Sequence, residues 1–193
     1  MLMFSFTSLA AVSMALAGSV PGPRLLAALL WVILFFAATV GMDRIFLDEA
    51  AAGTLETLRL YAPATAVLLG KLAGAFLTLV VLSALLVPLF LVFIGGSVGA
   101  PFRFLSVLLL GVLGIAAAGT LTAALSAWAE VRAGLFAILT FPVILPVFLP
   151  AVAVTAELFA GETVNLHYLV AMGLYDLLLG VGASVLFDYV WGG

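Results

Sequence analysis

Long stretches without any charged side chain constrain this sequence most strongly. Residues 1–23, 25–42, 72–102, 104–129 and 133–156 each lack Asp, Glu, Lys and Arg. A helix of about 20 apolar residues crosses the roughly 30 Å of hydrocarbon in a bilayer, and each stretch approaches or exceeds that length. Hydrophobic residues make up 67% of the chain and charged residues 8%. A water-soluble domain needs more charged and polar residues than this to cover its surface. The sequence therefore predicts a membrane protein.

These stretches predict an all-α membrane protein with six transmembrane helices in one domain, residues 1–193. They are too long for membrane β-strands, which alternate in polarity over about 10 residues, and helices also satisfy the backbone hydrogen bonds in lipid. A further apolar stretch near the C-terminus is interrupted only by Asp176. The predicted helices span residues 2–20, 25–42, 63–94, 103–128, 133–156 and 166–190. We expect the first to be retained rather than cleaved as a signal peptide, because no basic residue precedes it.

The cations are distributed unequally between the two sides of the predicted bundle. One side carries Arg44, Arg59, Lys71 and Arg132, and the other carries Arg24 and Arg103. The positive-inside rule then places the 43–62 connection and both termini in the cytoplasm. A net charge of −3 gives no basic surface for nucleic acid, and the absence of cysteine removes disulfides and thiolate metal sites. We expect no metal site in this chain.

The 43–62 connection differs from the others because it is rich in charge. It holds Asp43, Arg44, Asp48, Glu49, Glu56 and Arg59. We interpret it as two short helices separated by Gly53, where a positive φ is wanted, with Thr54 capping the second. Leu55 and Leu58 share one face of that second helix, as do Thr54, Leu58 and Tyr61.

Two interpretations of this amphipathic connection remain open. It is either a solvated loop that obeys the inside charge rule or a docking element for a soluble partner. Pro63 is expected to open the following helix at its first position.

The transmembrane segments also contain unusual residues. Pro142, Pro146 and Pro150 form a stripe that removes three backbone donors, either as a structural kink or as a deformable helix that moves during transport. Asp176 costs roughly 2.5–3.5 kcal/mol at bilayer depth; it is either a neutral acid paired with a hydroxyl of a neighbouring helix or part of a proton relay. The small-residue pairs Gly70-x-x-x-Gly74 and Gly114-x-x-x-Ala118 favour close helix contacts within one subunit or across a dimer.

The order of the motifs resembles the CcmB family, the membrane subunit of the cytochrome c maturation ABC transporter, which is often called the haem exporter. The resemblance covers nearly the whole chain. It is carried by Arg44, Phe46, Asp48, Gly53, Leu55 and Glu56, followed by Leu58, Pro63, Gly70-Lys71, and Arg132 before the proline-rich helix. Members of the family usually begin with a basic cytoplasmic segment, whereas this chain begins within the first crossing.

The resemblance implies an ABC-2 type permease in the bacterial cytoplasmic membrane. Two copies would pair with two copies of a separate ATPase, together with a haem-handling membrane subunit and a haem chaperone. A phosphate-binding loop needs G-x-x-x-x-G-K-[ST], and Leu72 follows Gly70-Lys71, so we expect no ATPase activity in this chain. The predicted coupling residues are Arg44, Phe46, Asp48, Glu49, Gly53, Leu55, Glu56, Leu58 and Arg59, with Leu55 and Leu58 entering a groove of the ATPase.

The sequence does not identify the transported species. The ATP-driven step either exports haem or releases a haem-loaded chaperone. His167, the only histidine, is a possible haem ligand, with Met172 and Tyr175 one and two turns further on, although a lone interfacial histidine is more often a headgroup-level polar residue. Alternatives are an ABC-2 permease for a lipid-linked glycan or a drug, and a secondary carrier, although only one broken helix is evident rather than a pair.

Overall fold

A computed structural model describes residues 1–42, 45, 52–128 and 136–192. These residues form seven α-helices and no strand, which confirms the all-helical prediction for the described part of the chain. The helices are α1 (Leu2–Leu16), α2 (Pro23–Met42), α3 (Leu55–Tyr61), α4 (Ala64–Ile94), α5 (Pro101–Trp128), α6 (Phe136–Ala160) and α7 (Leu166–Gly192).

Five of these helices, α2 and α4 to α7, are long and apolar enough to cross a membrane. The helix α1 is apolar but has only 15 residues, about 22 Å at 1.5 Å per residue. It ends at Leu16 because Ala17 and Gly18 adopt positive φ angles of 48° and 82°, four residues before the predicted end. A sixth crossing by α1 therefore stays a prediction.

Local backbone geometry shifts two other predicted boundaries. Pro63 has an extended backbone (φ −68°, ψ 147°) and is the N-cap of α4 rather than its first helical residue. The helix α6 continues to Ala160, so Glu157 lies in its last turn and not in the predicted outer loop. The loop is shortened to residues 161–165, and Gly161 begins it with a φ of 72°.

The two ends of the bundle are defined by the connections that meet there. At the α3 end, the side chain of Met1 lies against Gly41 and that of Met42 lies against Gly119. At the opposite end, Gly95 lies against Val20. Consecutive long helices therefore run antiparallel, and α3 joins α2 to α4 at one end.

Trp31 of α2 holds three helices together in the core. Its ring lies on Gly111 of α5, where an added Cβ would come within 2.1 Å of the ring atom Cη2. Its indole Nε1 donates to the hydroxyl of Thr155 in α6 at 2.9 Å. The ring also packs edge-on against Phe148 of α6, with centroids 6.5 Å apart. A glycine is needed at 111 because the indole fills the space that a Cβ on α5 would occupy at this position.

The two small-residue pairs have different surroundings. Gly114 packs within the subunit, because an added Cβ would lie 2.7 Å from the side chain of Val147 in α6. Ala118 is fully buried in the same helix. Gly70 and Gly74 have no neighbouring atom within 4 Å of an added Cβ, so they form no close helix contact within this copy of the chain.

Candidate functional site

The short helix α3 forms because a glycine turn precedes it and an extended residue ends it. Gly53 adopts a φ of 67°, the positive value predicted from the sequence. Thr54 is the N-cap, and its carbonyl accepts a hydrogen bond from the Leu58 N–H at 2.9 Å. Ala62 ends the helix with an extended backbone (φ −133°, ψ 137°). The helix is thus fixed at both ends, directly before α4.

Among the α3 side chains that the structure describes, the exposed apolar ones are Leu60 and Tyr61. They are 84% and 85% exposed. Leu58, which the sequence assigned to a partner-facing surface, is instead half-buried and packs against the core of its own bundle. Two residues correspond to about 200° around a helix, so turning Leu58 inward turns Leu60 outward. The opposite orientations of Leu58 and Leu60 follow from their spacing in the sequence, but the sequence did not show which of the two faces the bundle.

Several predicted coupling residues lie outside the described part of the chain. Arg44, Phe46, Asp48 and Glu49 belong to that group. The structure describes the backbone of Leu55, Glu56 and Arg59 within α3 but not their side chains. The coupling role of all seven residues stays a prediction.

Lys71 joins α4 to the segment that follows α2. Its ammonium Nζ donates to the backbone carbonyl of Ile45 at 2.6 Å, across 26 residues of sequence. The side chain is half-buried, and a cation in a largely apolar helix is stabilised when it binds a carbonyl dipole. Because of this bond, the backbone at Ile45 is attached to α4 by a contact that does not run through Pro63.

Asp176 of α7 lies at the junction of three helices. It is only 7% exposed, and its Oδ1 would be 2.8 Å from a Cβ added to Gly114 of α5, beside Val147 of α6. Neither carboxyl oxygen has a hydrogen-bond partner among the described residues. The predicted pairing with a neighbouring hydroxyl is therefore not found in this part of the chain. An unpaired carboxylate is very costly to bury, so we expect the protonated acid.

We expect Asp176→Asn to preserve the fold, because asparagine has the shape of the protonated acid. Asp176→Glu should be worse, since one extra methylene in this tight junction costs about 1–3 kcal/mol. The thermal unfolding midpoint in detergent should then fall by about 2–12 °C for Glu and change little for Asn. An Asn variant that is as unstable as the Glu variant would show instead that the ionised carboxylate matters.

The three prolines of α6 lie on the side of the helix that faces away from the bundle. Pro142 and Pro146 are exposed and Pro150 is half-buried. Ile144 and Val147, on the opposite side, are fully buried. The helix is continuous from Phe136 to Ala160, so the stripe predicted from the sequence exists and lies on the outer surface of this copy.

The candidate haem ligands do not come together within one copy. His167 is exposed, and its backbone N–H donates to the side chain of Asn165 at 3.1 Å. Met172 is fully buried, and the hydroxyl of Tyr175 donates to the carbonyl of Val143 at 2.7 Å. In the ranges that the structure describes, no group of three or more His, Asp or Glu side chains could hold a metal ion.

A family model described as CcmB protein matches residues 3–186. The matched range contains α3, the proline-bearing helix and most of α7. No curated protein matches the chain.

Proposed function

The chain belongs to the CcmB family, the membrane permeases of the cytochrome c maturation ABC transporter, and we propose that it couples ATP hydrolysis on a separate subunit to haem delivery. The family is a permease family of multi-pass inner-membrane proteins, and its partner subunit is the ATPase. The match over residues 3–186 carries this proposal. The coupling element is α3.

The apolar surface of α3 suits a helix-in-groove contact. Leu60 and Tyr61 each expose more than four-fifths of their surface, on a helix of only seven residues. Such side chains gain about 25 cal/mol for each Å² of apolar surface they bury. A groove on the ATPase would supply that burial. Glu56 and Arg59 are proposed to make the surrounding polar contacts.

The cation distribution supports a cytoplasmic position for α3. Four cations lie, by sequence, in or beside the connections that follow α2 and α5 at the α3 end: Arg44, Arg59, Lys71 and Arg132. Only Arg24 and Arg103 lie at the opposite end, in the first turns of α2 and α5. Both termini would then also be cytoplasmic. The ATPase works in the cytoplasm, where ATP is available. In this orientation α3 faces the same compartment as the ATPase. We propose two copies of the permease with two copies of the ATPase.

The ATP-driven step either exports haem or releases a haem-loaded chaperone from its partner. Within one copy, His167 is exposed and Met172 is buried. The hydroxyl of Tyr175 already donates a hydrogen bond to a backbone carbonyl. Haem is therefore proposed as a cargo of the assembly, without an axial ligand pair supplied by one copy of this chain.

Purification of the tagged chain from its own membranes in mild detergent tests the proposed function. We expect the ATPase subunit to accompany the chain, and deletion of the gene to abolish haem-stained c-type cytochromes. Re-expression of the wild-type chain should restore them. Normal c-type cytochromes in the deletion strain would overturn the assignment.

A further inference from the structure

An open cavity lies at the end of the bundle opposite α3. It has a volume of about 860 Å³ and is formed by the start of α2, the last turns of α6, the loop after α6 and the start of α7. Its charged and aromatic lining consists of Arg24, Glu157, Glu162 and Tyr168. Tyrosine and cationic side chains at the end of a membrane-spanning helix lie at the level of the lipid headgroups. The cavity is therefore placed to receive a molecule from the bilayer.

One wall of the cavity is apolar and runs along α6. It is lined by four residues of this helix: Leu149, Val152, Ala153 and Ala156. Their spacing of three or four residues places them on the same side of the helix. The wall extends about 10 Å along the helix axis, at 1.5 Å per residue, and ends at Glu157. Apolar surface thus lies toward the bilayer centre and charge toward the bilayer surface, as the chains and headgroup of a lipid do.

The charges around the cavity have both signs but do not pair with each other. Arg24 is exposed in the first turn of α2. Neither its guanidinium nor the carboxylate of Glu162 has a hydrogen-bond or ion-pair partner in the part of the chain that the structure describes. The cavity therefore offers a cation and an anion that a bound molecule can contact together.

The two glutamates are held close together at the end of α6. The side chain of Glu157 is half-buried, and its Oε2 accepts a hydrogen bond from the Asn165 N–H at 3.2 Å. The backbone N–H of Glu162 donates to the carbonyl of Glu157 at 2.9 Å. The negative part of the lining is thus fixed by the backbone of the short loop after α6.

This arrangement of charge discriminates between lipid headgroups. A headgroup with only negative charge, such as that of phosphatidylglycerol, would meet two glutamates and only one arginine. A headgroup with a phosphate and a primary ammonium offers an anion to the arginine and N–H donors to the carboxylates. Phosphatidylcholine has the same two charges, but its nitrogen is trimethylated and carries no N–H donor. The phosphoethanolamine headgroup is the best complement to the lining.

We propose that this cavity binds one phospholipid with a phosphoethanolamine headgroup. The phosphate contacts Arg24, the hydroxyl of Tyr168 provides a further donor, and the ammonium lies beside Glu157 and Glu162. One acyl chain packs along the apolar wall of α6 and covers it. Because the lipid contacts α2, α6 and α7 together, its binding stabilises the packing of these helix ends.

Native mass spectrometry of the purified chain in mild detergent tests this proposal. The delipidated chain is titrated with phosphatidylethanolamine, phosphatidylglycerol or phosphatidylcholine, all with the same acyl chains. We expect the first molecule of phosphatidylethanolamine to bind about tenfold more tightly than either other lipid, because its charge-assisted hydrogen bonds are complete. At equal concentration, phosphatidylethanolamine should also raise the unfolding midpoint most.

Two charge variants separate the roles of the lining residues. Arg24→Gln removes the contact with the phosphate and should weaken binding of phosphatidylethanolamine about tenfold. Glu162→Gln removes part of the contact with the ammonium, so the preference over phosphatidylglycerol should fall from about tenfold to about threefold or less. Arg103→Gln is the matched control, because it removes a cation from the first turn of α5 at the same end of the bundle but outside the cavity. It should leave the affinity and the preference unchanged.

Ala153→Phe tests the apolar wall without changing any charge. The larger ring would occupy the part of the cavity that the acyl chain needs, so phosphatidylethanolamine binding should weaken about tenfold or more. The unfolding midpoint of this variant without added lipid reports whether the fold is retained.

Three results would overturn the proposal. One is equal affinity for phosphatidylethanolamine and phosphatidylglycerol. Another is equal weakening by Arg24→Gln and Arg103→Gln, which would show a general attraction of headgroups to surface cations. The third is unchanged binding in a folded Ala153→Phe variant. These measurements do not involve α3 or the ATPase, so their outcome is independent of the proposed coupling function.

Discussion

Leu60→Asp is expected to reduce co-purification of the ATPase at least about tenfold while the amount of permease in the membrane stays the same. The side chain is 84% exposed in this chain, so a carboxylate there remains hydrated before assembly. In an apolar groove of the ATPase the same carboxylate would lose its water without gaining a partner, at a cost of several kcal/mol. Only 1.4 kcal/mol is needed for a tenfold weaker complex. Quantitative pull-down through a tag on the permease measures the effect.

Phe102→Asp is the matched control for that experiment. Phe102 is 86% exposed and lies at the start of α5, at the opposite end of the bundle. It should leave recovery of the ATPase unchanged. Equal recovery with Leu60→Asp and Phe102→Asp would remove α3 from the proposed interface. Leu58→Asp is a poorer test, because Leu58 packs against the core and a charge there would also disturb folding of the permease.

Gly111→Leu is expected to cause a large loss of stability. A Cβ at this position would lie 2.1 Å from Cη2 and 2.6 Å from Cζ3 of Trp31. The indole has little freedom to move, because it is only 1% exposed and its Nε1 is bonded to Thr155. Overpacking of this kind costs about 3 kcal/mol or more, which corresponds to a fall of about 6–12 °C in the unfolding midpoint.

Gly74→Leu provides the comparison for this variant. It makes the same substitution in α4, where no atom lies within 4 Å of an added Cβ. Its unfolding midpoint as an isolated chain in detergent should stay near that of the parent. Fluorescence-detected size-exclusion chromatography after heating measures both variants. Similar midpoints for the two would contradict the packing of Trp31 on Gly111.

The long helices were predictable because membrane insertion depends mainly on runs of apolar side chains. Their ends were less predictable, since they depend on backbone angles at single residues. Ala17 ends α1 early by adopting a positive φ, although nothing in its side chain requires it. Pro63 becomes an N-cap because its ψ of 147° is extended. Gly53 was predicted correctly because its preference for positive φ is local.

The candidate site was only partly predictable, for a different reason. In α3, Leu58 and Leu60 have the same hydrophobicity, so composition alone did not decide which one faces the bundle. Asp176 was recognised as a costly residue from its position in an apolar stretch. Its location beside Gly114 and Val147 depends on how three helices cross, and no pattern in one sequence specifies that crossing.

The length of α4 has a mechanical consequence. Its 31 residues form a rod about 46 Å long, which exceeds the roughly 30 Å thickness of the hydrocarbon layer. Near the beginning of the helix, Lys71 donates to the carbonyl of Ile45. Further along, the buried leucines at 79, 82 and 86 pack it against the bundle. One continuous helix therefore joins the α3 end of the bundle, at Ala64, to the opposite end, at Ile94.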